Sequence, residues 1–205
     1  MVYNISDMLK QLILSLSLLV LAACAPRPVA LTDTIVCFGD SITSGTGAKA
    51  DESYPSVLAQ LLNHPVVNAG VSGNTTADAL MRIENDVLSK RPFAVVIELG
   101  GNDYMHGVPR NVTMNNLEEI IARIKNGKAK IFLCDIGSNL ALGEYSSAYE
   151  ELCRRTGAVF ISGVMRGVLD DDTKKSDEMH PNAAGYQMIA SRVAVVLKQY
   201  YKFNG

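Results

Sequence analysis

Short apolar runs alternate with longer segments of helical spacing along most of the chain. The apolar runs have the length and residue types of buried β-strands, and they cover residues 34–39, 65–69, 93–99, 130–136 and 159–162. The segments between them repeat their apolar residues with a helical period, over residues 54–62, 75–88, 113–126 and 146–156. Strands that alternate with helices form parallel sheets covered on both faces. The pattern therefore predicts a three-layer α/β/α domain built on a five-stranded parallel sheet.

A last helix is predicted over residues 182–200, with Asn182 as its N-terminal cap. Its apolar face comprises Ala183, Tyr186, Ile189, Ala190, Val193, Val196 and Leu197. One apolar face of this length is typical of a helix that packs on a sheet.

The N-terminal segment differs from the rest of the chain. Residues 12–23 read LILSLSLLVLAA, a stretch too short to span a bilayer that ends in small residues, as a signal peptide does. It is followed by Cys24, and Leu21-Ala22-Ala23-Cys24 resembles the bacterial lipobox, in which the cysteine receives a diacylglycerol and palmitate and the peptide is cut before it. We expect a signal peptide at 1–23, a lipidated tether at 24–31 and one catalytic domain at 32–205. The alternative is cleavage after Ala23 with Cys24 as an incidental thiol.

Two details qualify this interpretation. The first seven residues contain no Lys or Arg but include Asp7, so translation starting at Met8 would give a more usual basic signal. If the host is Gram-negative, Ala25 after the cysteine resembles the pattern of lipoproteins sent to the outer membrane. We therefore expect a protein of the cell envelope that is held at a membrane by Cys24.

Composition and charge exclude several classes of function. With 19 Lys+Arg against 21 Asp+Glu, the chain has no basic excess for binding nucleic acid. The acidic run at Asp170–Asp172 does not have the spacing of a calcium loop, so we expect no metal and no cofactor. Three cysteines besides Cys24 do not pair evenly, which favours buried free thiols and leaves one disulfide open. We expect a monomer.

Polar motifs follow the predicted strands at the end where open α/β sheets bind ligands. Gly39-Asp40-Ser41 follows the first strand, a segment with Gly70 and Gly73 follows the second, and Gly100-Gly101-Asn102-Asp103 follows the third. A fourth motif, Asp177-Glu178-Met179-His180, precedes the last helix and places a carboxylate three residues before an imidazole. Glu98 interrupts the third apolar run and needs a partner if it is buried; the sequence leaves open whether it supports the Asn102 loop or only packs.

These four motifs, in this order and spacing, resemble the SGNH (GDSL-type) hydrolase family over nearly the whole domain. The residue sequences of these motifs are similar to those of bacterial thioesterase, lysophospholipase and arylesterase members of the family. The resemblance implies a flavodoxin-like α/β/α sandwich. It also implies that Ser41 is the nucleophile, that His180 is the base held by Asp177, and that Ser41, Gly73 and Asn102 form the oxyanion hole.

Elementary chemistry is consistent with these roles. A serine hydroxyl attacks an acyl carbon only when a base takes its proton, and imidazole titrates in the required range. A carboxylate three residues from His180 can accept the Nδ1 proton and fix the ring. The expected substrate is a short- to medium-chain acyl ester, with thioesters and lysophospholipids as further candidates. A carbohydrate O-acetylesterase with the same triad and a non-catalytic envelope lipoprotein remain alternatives.

Four residues are candidates for substrate contact. Tyr104 and His106 lie in the short connection after Asn102, which is too short for a large lid and predicts an open site. Leu140 and Leu142 lie between Gly137 and Gly143 and offer a small apolar surface. His64 precedes a strand and has no carboxylate three residues before it, so we do not expect it to be the base.

Overall fold

A computed structural model describes residues 27–30, 33–137 and 143–203. The predicted signal peptide, Cys24, Leu140 and Leu142 lie outside these ranges. The strands are β1 (Arg27–Pro28), β2 (Ile35–Gly39), β3 (Val66–Gly70), β4 (Ala94–Glu98), β5 (Lys130–Cys134), β6 (Val159–Ile161) and β7 (Tyr201–Lys202). The helices are α1 (Ser41–Ser44), α2 (Tyr54–Leu62), α3 (Thr76–Asp86), α4 (Gly101–Met105), α5 (Arg110–Asn126), α6 (Gly143–Thr156) and α7 (Ala183–Tyr200), with short 3₁₀ turns at Ala50–Glu52 and Leu88–Lys90.

The central sheet has five strands in the order β3-β2-β4-β5-β6, and every neighbouring pair is parallel. The predicted α/β/α fold with a five-stranded parallel sheet is therefore confirmed. The strand β2 pairs with β3 on one side and with β4 on the other, so the chain changes direction across the sheet at β2. Loops that leave such a point open a crevice at the carboxyl ends of the strands.

Alternate residues of the strands build a separate core on each face of the sheet. In β2, Ile35 and Cys37 pack with α2 and α7 on one face, whereas Val36 and Phe38 pack with α3, α5 and α6 on the other. This follows from the two-residue period of a strand. The α7 face is confirmed at Tyr186, Ile189, Ala190, Val193 and Leu197, while Ala183 and Val196 are only partly buried.

The helix α7 connects the two ends of the sheet. The Asn182 side chain accepts hydrogen bonds from the backbone N–H groups of Ala184 (3.0 Å) and Gly185 (3.2 Å), which confirms the predicted cap. The helix has 18 residues, and at 1.5 Å per residue it spans about 27 Å. Its first turn follows His180, and its last turn reaches the opposite end of the sheet.

The described start of the chain lies at that opposite end. Strand β1 pairs in parallel with β7, and the N–H of Val29 donates to the carbonyl of Lys202 at 3.1 Å. Tyr201 of β7 packs against Phe93, which directly precedes β4. Residues 27–29 belong to the predicted tether; here Arg27 and Pro28 pair with β7, and Val29 is buried in the core. Within the described ranges, no helix is long and apolar enough to cross a membrane.

Candidate active site

Ser41 begins the short helix α1 directly after β2. The carboxylate of Asp40 caps this helix by accepting the N–H of Ile42 at 3.0 Å. A side chain at position 39 could not be accommodated, since a Cβ there would lie 2.0 Å from the Thr43 hydroxyl and 2.3 Å from the Glu98 carbonyl. The Gly-Asp-Ser sequence thus forms a tight strand-to-helix turn at the carboxyl edge of the sheet.

His180 and Asp177 share a short loop before α7. The loop is closed by hydrogen bonds from the N–H of Ser176 to the His180 carbonyl (2.8 Å) and from the N–H of Asn182 to the Lys174 carbonyl (2.9 Å). Asp177 Oδ1 accepts the backbone N–H groups of Met179 (2.8 Å) and His180 (2.9 Å). These contacts fix both the carboxylate and the imidazole before any substrate arrives.

The loop brings the imidazole to the serine. His180 Nε2 lies 3.1 Å from Ser41 Oγ, and His180 Nδ1 lies 2.8 Å from Asp177 Oδ2. The backbone N–H of Met179, followed by the side chain of His180, holds the pKa of the Asp177 carboxyl below its usual range. An ionised Asp177 accepts the Nδ1 proton, which leaves Nε2 free to accept the proton of the serine hydroxyl.

Three N–H groups that could donate to an oxyanion lie at or near this serine. Ser41, Gly73 and Asn102 line one groove. Within the described part of the chain, no protein acceptor takes the backbone N–H of Ser41 or of Gly73. The side-chain amide of Asn102 has partners: Nδ2 lies 3.1 Å from Asp40 Oδ2 and 3.0 Å from the carbonyl of Asn74.

Gly73 is required for a reason other than the one expected. We expected glycine to let the backbone approach closely, but no described atom lies within 4 Å of a Cβ built at this position. Gly73 instead has a φ of 80°, a left-handed conformation that other residues adopt at a cost. The loop can therefore turn its N–H towards the groove.

Arg82, on α3, holds this loop in place and was not identified from the sequence. Its guanidinium donates to the Asn74 side chain (2.6 Å) and to the carbonyls of Ala69 (2.8 Å) and Gly39 (2.7 Å). It thus connects the ends of β2 and β3 with the residue that follows Gly73. An arginine on a polar helix face has no sequence signal that separates this role from a surface ion pair.

Asp103 is a second supporting residue. Its buried carboxylate accepts the N–H of Thr76 at 2.8 Å and the hydroxyl of Thr76, and Asn116 on α5 donates to the same hydroxyl at 3.0 Å. The helix α4, which follows β4, is thereby fixed to the first turn of α3. The motif containing Asp103 was noticed in the sequence, but its partner lies 27 positions away.

Asp40 and Glu98 form a carboxyl pair beneath Ser41. Both side chains are buried, and their carboxyl groups hydrogen-bond each other. Burial raises the pKa of both carboxyl groups, and the charge of Asp40 raises that of Glu98 further, so the pair favours a neutral Glu98 beside an ionised Asp40. Glu98 also accepts the Thr43 hydroxyl at 3.3 Å.

An open groove of about 440 Å³ adjoins the serine. Its apolar walls comprise Ile136, Met165, Leu169, Met105, Met179 and Tyr104. Tyr104 was predicted from the sequence, whereas His106 is exposed and does not line the groove. Three groove residues were missed, Met165, Leu169 and Met179, because the irregular segment between β6 and α7 has no periodic pattern. Leu140 and Leu142 lie outside the described residues.

The other titratable groups have structural roles. His64 is buried, packs against Phe93 and Phe203, and its Nε2 lies 2.8 Å from the carbonyl of Asp33. Cys37, Cys134 and Cys153 are buried free thiols, and burial raises the pKa of Cys37 to about 12. Among the described residues, no cluster of His, Cys, Asp or Glu is arranged to hold a metal ion.

A hydroxyl, an imidazole and a carboxylate meet at the edge of a parallel sheet, an arrangement typical of α/β/α hydrolases that use a serine nucleophile. The model of the GDSL-like lipase/acylhydrolase family matches residues 37–188. The chain belongs to this family and is an ester hydrolase.

Curated relatives agree with this assignment. An arylesterase of Vibrio mimicus is 28% identical over 193 residues, covering 89% of this chain and 96% of the relative. Thioesterase 1/protease 1/lysophospholipase L1 of Escherichia coli is 28% identical over 177 residues, covering 82% of this chain and 85% of the relative. An uncharacterised lipoprotein of Bacillus subtilis, YqeF, is 33% identical over 128 residues, covering 57% of this chain and 51% of the relative.

Solved structures show the same architecture. The crystal structure of TesA superposes with a TM-score of 0.75 at 26% identity, covering 81% of this chain and 98% of that chain. AlinE4, an esterase of the SGNH-hydrolase family, superposes with a TM-score of 0.65 at 31% identity, covering 82% of this chain and 95% of that chain. The resemblance to SGNH hydrolases noted in the sequence is thus confirmed.

Proposed function

We propose that Ser41, His180 and Asp177 are the catalytic triad of this ester hydrolase and that the reaction passes through an acyl-enzyme on Ser41. The observation that carries the proposal is the continuous path from Ser41 Oγ to His180 Nε2 (3.1 Å) and from His180 Nδ1 to Asp177 Oδ2 (2.8 Å). The geometry allows one residue to give up a proton while the next takes it.

The reaction proceeds in two halves. Ser41 Oγ forms a bond to the acyl carbon while His180 Nε2 takes the hydroxyl proton, and the carbonyl oxygen becomes an oxyanion. Collapse breaks the ester bond, and the alcohol leaves with the proton from His180. Water then attacks the acyl-enzyme with His180 again acting as base, which releases the acid and restores Ser41. Asp177 stabilises the imidazolium in both halves.

The oxyanion is stabilised by the backbone N–H groups of Ser41 and Gly73 and by the amide of Asn102. We expect Asn102→Ala to lower kcat by about 10²–10³-fold, because one donor to the developing charge is lost. The KM of a small ester should change little, since this hydrogen bond forms mainly in the transition state. Steady-state kinetics with p-nitrophenyl butyrate give both numbers. A rise in KM at unchanged kcat would assign Asn102 to substrate binding instead.

The substrates we propose are short- to medium-chain acyl esters, including aryl esters and thioesters. The apolar wall of Met165 and Leu169 can contact the first carbons of an acyl chain, and the groove then opens to solvent. Each buried CH₂ contributes about 0.8 kcal/mol, or roughly a fourfold gain in kcat/KM. We expect kcat/KM for p-nitrophenyl esters to rise over the first carbons and then level off.

A matched set of substrates distinguishes the alternatives. Acetyl, butyryl, octanoyl and palmitoyl esters of p-nitrophenol, together with acetylated xylose, are compared at equal enzyme concentration. Values of kcat/KM that keep rising to palmitoyl would indicate a long-chain lipase. Activity confined to the acetylated sugar would support the carbohydrate O-acetylesterase and contradict the proposal.

We further propose that Cys24 is lipidated and holds the domain at a membrane of the cell envelope. The likeness to a lipoprotein of Bacillus subtilis supports this location. Cys24 lies three positions before Arg27, and an extended chain covers at most about 3.5 Å per residue. Because β1 pairs with β7 at the end of the sheet opposite His180, the anchor would hold the groove facing away from the bilayer.

A further inference from the structure

Asn102 has no free amide hydrogen in the described structure. A primary amide carries two N–H donors, and Asn102 Nδ2 has two acceptors, Asp40 Oδ2 at 3.1 Å and the carbonyl of Asn74 at 3.0 Å. One of these hydrogen bonds must therefore give way or be shared when an oxyanion forms. The hydrogen bond that is kept, to Asp40 or to the Asn74 carbonyl, is the one that holds Asn102 in place during the reaction.

The two acceptors are not equivalent. Asp40 offers a buried carboxylate, and hydrogen bonds to a charged acceptor are stronger than those to a neutral carbonyl. The carbonyl of Asn74 belongs to the loop that also carries Gly73, which is partly exposed at that point. The bond to Asn74 is therefore the one that exchanges, and Asp40 remains the fixed partner of Asn102.

Asp40 is held in turn from two sides. Its Oδ1 accepts the N–H of Ile42 at 3.0 Å. Gly39, directly before Asp40, pairs with Glu98 across the sheet, and this brings the two buried carboxyl groups into hydrogen-bonding contact. Glu98 is anchored in the core, where Thr43 contacts it and Thr43 lies 3.2 Å from the hydroxyl of Tyr54. Glu98 is the last residue of β4, four positions before Asn102, so the rigid sheet fixes where Asp40 can point.

We propose that Glu98 is a positioning residue of the oxyanion hole, which holds the Asp40 carboxylate against the Asn102 amide so that this amide keeps one bond to Asp40 and offers its other N–H to the oxyanion. Glu98 touches no reacting atom and acts through Asp40. Because Glu98 is neutral, the Asp40–Glu98 pair carries a single negative charge, and this limits its repulsion of the nearby oxyanion.

A double-mutant cycle in the full chain tests this role with p-nitrophenyl butyrate. Glu98→Leu removes the donor to Asp40 and should lower kcat by about 10–100-fold, with KM changed less than about twofold. In the Asn102→Ala background the same substitution should change kcat less than about twofold, because the residue through which Glu98 acts is already absent. Glu98→Gln keeps an N–H donor for Asp40 and should retain most of the wild-type kcat.

Thr43→Val removes one anchor of Glu98 but keeps the carboxyl pair, so its loss of kcat should be smaller than that of Glu98→Leu. If Glu98→Leu fails to fold, Asp40→Asn gives the second arm of the cycle, and its loss of kcat should likewise disappear in the Asn102→Ala background. An equal loss in both backgrounds, or a wild-type kcat in Glu98→Leu, would overturn the proposal. So would a loss in Glu98→Gln as large as that in Glu98→Leu.

This inference rests on the proposed triad, and the two can fail separately. If Ser41→Ala retained its activity, the proposed function would be wrong whatever Glu98 does. If Ser41→Ala is inactive but the cycle is additive, the triad stands and Glu98 has only a packing role.

Discussion

Replacing Ser41 by alanine should lower kcat/KM for a p-nitrophenyl ester by about 10⁴-fold or more, because the triad acts as a unit around the nucleophile. His180→Ala should cause a loss of similar size, since without its base the hydroxyl stays protonated. Steady-state rates with p-nitrophenyl butyrate measure both effects. A fluorophosphonate probe adds an independent readout, because it reacts quickly only with an activated serine. The wild-type chain should be labelled on Ser41, and Ser41→Ala should not be labelled.

His106→Ala is the matched control for the histidine. His106 is exposed and does not line the groove. Its removal should leave kcat/KM within about threefold, the range of a surface substitution. If Ser41→Ala hydrolysed the ester at the wild-type rate, or if the probe labelled a different serine, the assignment of the nucleophile would be wrong.

The core of the fold was predictable because each main element carries its own periodic signal. The strands at residues 34–39, 65–69, 93–99, 130–136 and 159–162 were placed within one or two residues of their observed ends. The helix α2 was placed at its observed bounds, whereas α5 and α6 each begin three residues earlier than expected. Helix ends are set by capping and tertiary contacts rather than by the apolar repeat.

Short elements and long-range contacts were not predictable in this way. The helices α1 and α4 contain 4 and 5 residues, too few to show a helical period. The pairing of β1 with β7 joins the two described ends of the chain and involves only two residues on each side. Neither strand has a run of apolar residues long enough to be noticed.

In the candidate site, too, contacts within one loop were predictable from the sequence, whereas contacts between distant segments were not. Asp177 and His180 are three positions apart, so their contact could be expected from one loop. Ser41 and His180 are 139 positions apart, and their approach depends on the order of strands in the sheet. The resemblance of the four motifs to the SGNH family implied the pairing of Ser41 with His180, but no motif indicated a role for Arg82. The role of Glu98 stayed open because a buried acid in a strand requires a partner without naming it.

Replacing Cys24 by serine should release the protein from the membrane fraction. Two or three acyl chains on one cysteine anchor a protein stably, whereas a domain without them has only weak surface contacts. Fractionation after high-salt and carbonate washing, with mass spectrometry of the N-terminal peptide, measures both the location and the lipid. The specific activity of the released protein on p-nitrophenyl butyrate should equal that of the wild type in detergent, because β1 joins the domain at the end of the sheet opposite His180. Cys153→Ser, which changes a buried thiol within the domain, is the matched control and should remain in the membrane fraction. A Cys24→Ser protein that still sediments with membranes after both washes would show that the anchor lies elsewhere.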